Sequence, residues 1–121
     1  MNKKIFIVED DEGIREALQE LLESVGYSVE TAGDGREALC LLKKTPGLPS
    51  LILLDLMLPH MDGYQFRQVQ GTDPRLKGIP VVITTAGGDI ESKSQKVGAE
   101  GSLRKPFDLD EVLATVARFA R

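Results

Sequence analysis

The chain of 121 residues contains one cysteine, one histidine and no run of basic residues. A single thiol, Cys40, excludes an internal disulfide, and a reducing compartment is compatible with it. With no basic run and a formal net charge of −4, nothing supports non-specific contact with nucleic acid. No apolar stretch approaches the roughly 20 residues that span a bilayer. The amino-terminal MNKKIFIVEDD turns acidic too soon for a secretory signal. These absences predict a soluble, cytoplasmic protein with no membrane contact. No internal repeat or low-complexity tract appears either. Cys40 lies in a helical pattern with Ala38, Leu39, Leu41 and Leu42, so a small helix residue is the better reading than a nucleophile. His60 falls in a loop and is read as solvent-exposed, without phosphotransfer chemistry.

What is present is ordinary for a globular domain: 41% hydrophobic and 28% charged residues. The length fits one domain, residues 1–121, able to bury a core without staples. Ile5-Phe6-Ile7-Val8 is a continuous apolar run, as expected of a central parallel strand covered on both faces. It ends in Glu9-Asp10-Asp11-Glu12. Ile14, Ala17, Leu18, Leu21, Leu22 and Val25 then mark one helical stripe, with Gly26 placed as its C′ residue. Tyr27 to Ala32 alternates like an edge strand. Asp34-Gly35 reads as a turn before a second helix, and Thr45 to Pro49 as a breaker cluster.

Leu51 to Gly63, LILLDLMLPHMDG, is a buried strand that delivers Asp55, followed by a turn at Asp62-Gly63. Tyr64, Phe66 and Val69 belong to a third helix, and Ile79-Pro80-Val81-Val82-Ile83 to a strand finishing at Thr84-Thr85. The fourth helix, around Asp89 to Val97, has only Ile90 and Val97 clearly apolar. Gly101 to Arg104 is the last strand, stopped by Pro106. Asp108 is the N-cap of a final helix containing Leu109, Val112, Leu113, Val116 and Phe119. Strict alternation of five strands and five helices predicts an α/β fold, a parallel sheet sandwiched between helices.

A parallel sheet brings every strand's carboxyl end to one edge, where ligands bind in open α/β folds. Four of the five strands end in charged or reactive groups: Glu9-Asp10, Asp55, Thr84-Thr85 and Lys105. Two like charges ~4 Å apart repel by about 4 kcal/mol at an effective dielectric near 20. Three carboxylates together therefore need a counter-charge, and a hard cation such as Mg²⁺, which prefers oxygen ligands, meets that need. Such a pocket suits phosphoryl transfer, with Asp55 as nucleophile and Thr85 and Lys105 holding the phosphoryl oxygens. Singly, each group has a plainer reading: carboxylates favour helix N-termini, threonine favours strands, and a lysine before proline can be a surface charge. Their convergence at four strand ends favours the functional one.

IVEDD, LLDLMLPHMDG, VVITTAGG and GSLRKPF, spread over essentially the whole chain, together resemble the receiver domain of two-component response regulators. The resemblance implies the flavodoxin-like (βα)5 three-layer sandwich with sheet order 2-1-3-4-5. That order is the one known for the flavodoxin-like class and is carried over by likeness. It implies that Asp55 is the phospho-acceptor, that Glu9 and Asp10 are the acidic pair at the Mg²⁺ site, and that the Met57 backbone carbonyl completes the metal shell. Thr85, before Ala86, matches the switch hydroxyl, with Thr84 the alternative, and Lys105 matches the phosphate-binding lysine. The Lys105-Pro106 peptide is expected to be cis.

The implied function is a phosphorylation-controlled switch. A sensor histidine kinase or phosphotransfer protein supplies the phosphoryl group, and an output protein or effector domain answers to the face around the fourth helix and fifth strand. Catalysis is limited to the chain's own phosphorylation and slow dephosphorylation. The chain is either a stand-alone receiver or the excised domain of a longer protein, and either a monomer or a phosphorylation-dependent dimer. Two departures stand out. Ser102 occupies the place of an aromatic residue whose rotamer follows the switch hydroxyl, and the segment from Thr85 to Lys105 is short, which predicts a short or mobile fourth helix. Three rivals are weaker. A Mg²⁺-dependent phosphohydrolase would carry a second Asp at position 57, which is Met. A flavodoxin-like electron carrier would need Gly, Ser and Thr donors after the first strand. A docking module independent of phosphorylation would have no need of the full charged set.

Overall fold

Each apolar run forms a strand and each amphipathic stretch a helix, in strict alternation. In the computed structural model, which describes residues 3–120, the order is β1 (Lys4–Val8), α1 (Glu12–Ser24), β2 (Ser28–Ala32), α2 (Gly35–Lys44), β3 (Leu51–Asp55), α3 (Gly63–Thr72), β4 (Val81–Thr85), α4 (Ile90–Val97), β5 (Gly101–Arg104) and α5 (Leu109–Phe119). The sheet runs β2-β1-β3-β4-β5, and every neighbouring pair is parallel. This is the expected three-layer arrangement. No helix among the described residues is long and apolar enough to cross a membrane.

Alternation along the strands divides the core into two layers. Phe6, Val8, Ile52, Leu54, Val81 and Ile83 pack with Leu39, Leu42, Phe66 and Val97 from α2, α3 and α4. Ile5, Ile7, Leu51, Leu53 and Val82 pack on the other face with Leu18, Leu22, Val112 and Val116 from α1 and α5. Because β1, β3 and β4 are covered on both faces, their sequences carry no polar alternation. β2, at the edge, is only partly buried.

An aspartate opens each of the five helices in the described residues. Asp11, Asp34, Asp62, Asp89 and Asp108 accept hydrogen bonds from backbone N–H groups of the first turn. Each supplies an acceptor to donors that the helix itself leaves unpaired. Asp62 forms a full capping box with Gln65. The Asp34-Gly35 and Asp62-Gly63 pairs, read as turns, are therefore helix starts. Other boundaries differ from the sequence expectation as well. Tyr27 lies outside β2, its N–H donating to the Leu22 carbonyl. β4 begins at Val81 because Pro80 has no N–H for the ladder. Cys40 sits on the exposed side of α2, outside its buried face. His60 is exposed, as expected, with φ +65°.

The loops between strand and helix set the rim. Gly63 packs so tightly after Asp55 that a Cβ there would lie 2.8 Å from Leu56 Cα and 3.1 Å from the Asp55 carbonyl oxygen. At the other end of the fold, cations from neighbouring segments satisfy helix carbonyls. Arg75 donates to Leu42 and Thr45 after α2, Arg67 to Val97 and Gly98 after α4, and Lys3 to Ala120 after α5.

Candidate functional site

The carboxyl edge holds two kinds of carboxylate. The five capping aspartates are occupied by helix N–H groups, whereas Glu9, Asp10 and Asp55 cap nothing and face one another. One oxygen from each of these three lies within 4.8 Å of the others. Glu9 follows β1 directly and Asp55 is the last residue of β3, and both are buried, 2% and 3% exposed, while Asp10 is exposed. The plainer reading, carboxylates serving helix N-termini, therefore holds for Asp11 and fails for this trio.

Lys105, one residue past β5, reaches into the same pocket. Its ammonium lies 2.6 Å from Glu9 Oε1 and 3.0 Å from Asp55 Oδ2. The other Asp55 oxygen, Oδ1, accepts a 2.9 Å hydrogen bond from the Met57 N–H. Glu9 Oε2 accepts from the Asp11 N–H at 3.1 Å, while the buried Oε1 has the Lys105 ammonium as its partner. The Lys105-Pro106 peptide is cis. Backbone bonds lock these strand ends together: the Leu56 N–H donates to Thr84 O at 3.2 Å and the Lys105 N–H to Thr85 O at 2.9 Å.

Burial dominates the electrostatics of Glu9. Desolvation pushes its carboxyl up to about 7, with Asp55 acting in the same direction and Lys105 and the Asp11 N–H only partly opposing it. Burial alone would lower the Lys105 ammonium, but Glu9 and Asp55 outweigh it and hold its pKa above the ordinary lysine value. The lysine therefore stays charged and acts as the pocket's internal counter-ion.

A hard, oxygen-seeking divalent cation fits these residues. The donors are carboxylate oxygens at converging positions, two of the three side chains are buried, and Lys105 offsets only one of their charges. Of the positions singled out in the sequence, Glu9, Asp10, Asp55 and Lys105 come together. The Met57 side chain is 73% exposed and points to solvent, while its N–H touches Asp55. Thr84 and Thr85 are both buried at the end of β4. Thr84 is the register partner of Asp55, and Thr85, the last residue of β4, stands one residue nearer the rim.

Three contacts around the site go beyond what the sequence pattern specified. Arg15 donates to the Glu9 carbonyl at 3.0 Å, Gly63 makes the close approach behind Asp55, and Asp11 caps α1. The Asp-Gly pair and the carboxylate preceding a helical stripe were signals for the last two. An arginine in the first turn, where a cation opposes the helix dipole, was a signal for the first.

The sequence profile of the response regulator receiver domain matches residues 5–117. The chain is 41% identical over 120 residues to the DNA-binding dual master transcriptional regulator RpaA of Synechocystis, covering 98% of this chain and 49% of that protein. It is 37% identical to sporulation initiation phosphotransferase F of Bacillus subtilis, covering 98% and 94%. In structure it is similar to a putative response regulator from Chloroflexus aurantiacus, with a TM-score of 0.90, 34% identity and coverage of 99% and 98%. The chain spans about half the length of several curated relatives that it matches.

Proposed function

The chain belongs to the family of response regulator receiver domains, phosphorylation-controlled signalling modules, and on that premise we propose that Asp55 is its phospho-acceptor. The observation that carries this reading is the meeting of Glu9, Asp10, Asp55 and Lys105 at one rim, with Asp55 held between the Met57 N–H and the Lys105 ammonium. Residues 1–121 act as one receiver module. The donor is a phosphohistidine on a sensor histidine kinase or a phosphotransfer protein. An Asp55 carboxylate oxygen forms the new O–P bond as the P–N bond to the imidazole breaks, and the imidazole nitrogen takes a proton from solvent.

Glu9, Asp10 and Asp55, with the Met57 carbonyl, would hold Mg²⁺. When bound, the ion neutralises charge between the incoming phosphoryl group and the carboxylates. Lys105 is placed to follow the charge from the carboxylate to the phosphoryl oxygens, as charge-assisted bonds favour. Thr85 is the hydroxyl assigned to a further phosphoryl oxygen. Its backbone already carries Lys105 through the bond to its carbonyl, so movement at either residue is felt by the other. Driving a two-state element from 1:99 to 99:1 takes about 5.5 kcal/mol of differential stabilisation, a scale that a few such contacts reach. The responding face lies around α4 and β5, and an output protein or effector domain reads it. Against a phosphohydrolase stands the exposed, non-titrating Met57 where a second acid would be needed.

The test is labelling with acetyl phosphate and Mg²⁺, read by mass and by amide exchange. The native chain should gain one phosphoryl group and Asp55→Asn none; full labelling of that variant elsewhere overturns the assignment. Thr85→Ala should take up phosphate but lose the exchange response of α4. If Thr84→Ala loses it instead, the hydroxyl's role passes to Thr84.

A further inference from the structure

Arg15 is the fourth residue of α1, on a helix whose first turn otherwise carries the acidic Glu12. A cation there gains nothing from the helix dipole, which favours negative charge at this end. Its guanidinium is instead turned back on the acidic loop, where Nη1 donates to the Glu9 carbonyl at 3.0 Å. The same Nη1 stands 3.5 Å from the point that a Cβ on Gly33 would occupy, so the group is wedged between the loops after β1 and β2.

The Glu9 backbone is thereby held on both sides, its N–H by the Ala32 carbonyl at 3.1 Å and its C=O by Arg15. Fixing that carbonyl fixes the peptide leading to Asp10. Asp10 is exposed and takes part in none of the side-chain bonds that restrain Glu9 and Asp55. Its carboxylate reaches the other two only if the backbone delivers it.

We infer that Arg15 is a positioning residue for the metal pocket, acting on Asp10 through the Glu9–Asp10 peptide; this rests on the reading of Glu9, Asp10 and Asp55 as a divalent-cation site. The contact has a consequence opposite in sign to that of its charge. A guanidinium beside an acidic pocket should repel a cation, so its removal on electrostatic grounds alone tightens binding. A guanidinium that aligns a ligand should, when removed, loosen binding, and partners behind the ligands of a metal site typically contribute 10–100-fold in affinity.

Calorimetric titration with MgCl₂ of the native chain, Arg15→Met and Arg15→Lys separates these, each variant first shown to be folded by circular dichroism and thermal melting. Arg15→Met should bind Mg²⁺ about tenfold more weakly. Arg15→Lys, which keeps a donor for the Glu9 carbonyl, should recover most of that loss. Binding by Arg15→Met as tight as or tighter than native overturns the inference, as does a lysine variant no better than the methionine one. If the native chain itself takes up no Mg²⁺, the metal reading of the site fails, and the inference with it. Should Arg15→Met not fold, Arg15→Leu, which likewise has no donor, takes its place under the same criteria.

Discussion

A methyl group at position 63 would have nowhere to go. It would meet Leu56 Cδ2 at 2.7 Å and Leu56 Cα at 2.8 Å, and backbone cannot swing aside as a side-chain end can. Gly63→Ala is expected to cost about 1–3 kcal/mol, the range for forcing atoms into a filled space. Urea unfolding of the metal-free protein measures it, and a change under about 0.5 kcal/mol would show that the loop after Asp55 yields freely. At this scale the sequence was informative where chemistry and position coincide. Asp55 ends an apolar run, and Lys105 precedes a proline, so both could be placed on the rim before any contact was known. Gln70 could not. Gln70, a polar residue near the end of α3, is fully buried, with its amide donating to the Leu76 and Ile79 carbonyls. Those acceptors belong to a loop whose path no local pattern specifies.

Among the elements, α4 is the exception. It has eight residues, and Val97 is the one that is buried. Its apolar poverty was legible, and so was its shortness; what holds it was not. Arg67 on α3 donates through Nε and Nη2 to the Val97 and Gly98 carbonyls, and its Nη1 is braced by Gln70 Oε1 at 2.8 Å. The helix is thus fastened at its last turn, while its first follows the exposed Gly87-Gly88 pair. A groove of roughly 350 Å³ opens between it and α3. Another of roughly 250 Å³ opens toward β5, lined by Ser94, Gln95 and Ser102. Breaking the fastening should free the helix without unfolding the sheet. Arg67→Met is expected to raise amide exchange across residues 90–97 by about tenfold or more, since bonds from charged donors contribute ~1.5–3 kcal/mol. Rates in β1 and β3 should stay as they were. Unchanged exchange in α4 would mean that Val97 and the Asp89 cap suffice.

For the molecule as a whole, the buried Glu9 sets a conflict between folding and function. Its carboxyl is raised to about 7 in the fold from an ordinary value of 4.5. A raised acid favours the folded state while protonated, so that contribution is present below about 4.5 and is lost as pH rises through about 7. In chelator, the native chain should therefore lose on the order of 3 kcal/mol between pH 4.5 and pH 8 relative to Glu9→Gln, which has no proton to lose there. Parallel denaturant midpoints for the two proteins across that window would contradict it. Lys105 does not blur the comparison, because its own raised value lies above the window.

The fold as a whole was the most legible feature, because alternating apolar runs and helical stripes leave few ways to build a covered parallel sheet. Helix starts were less so, since an aspartate before a glycine signals a turn and a cap equally well. The shared position of Lys105 between Glu9 and Asp55 has a final consequence. Its ammonium offsets part of the negative charge that Glu9, Asp10 and Asp55 bring together. The lysine thus lets the fold close over these carboxylates before any cation arrives.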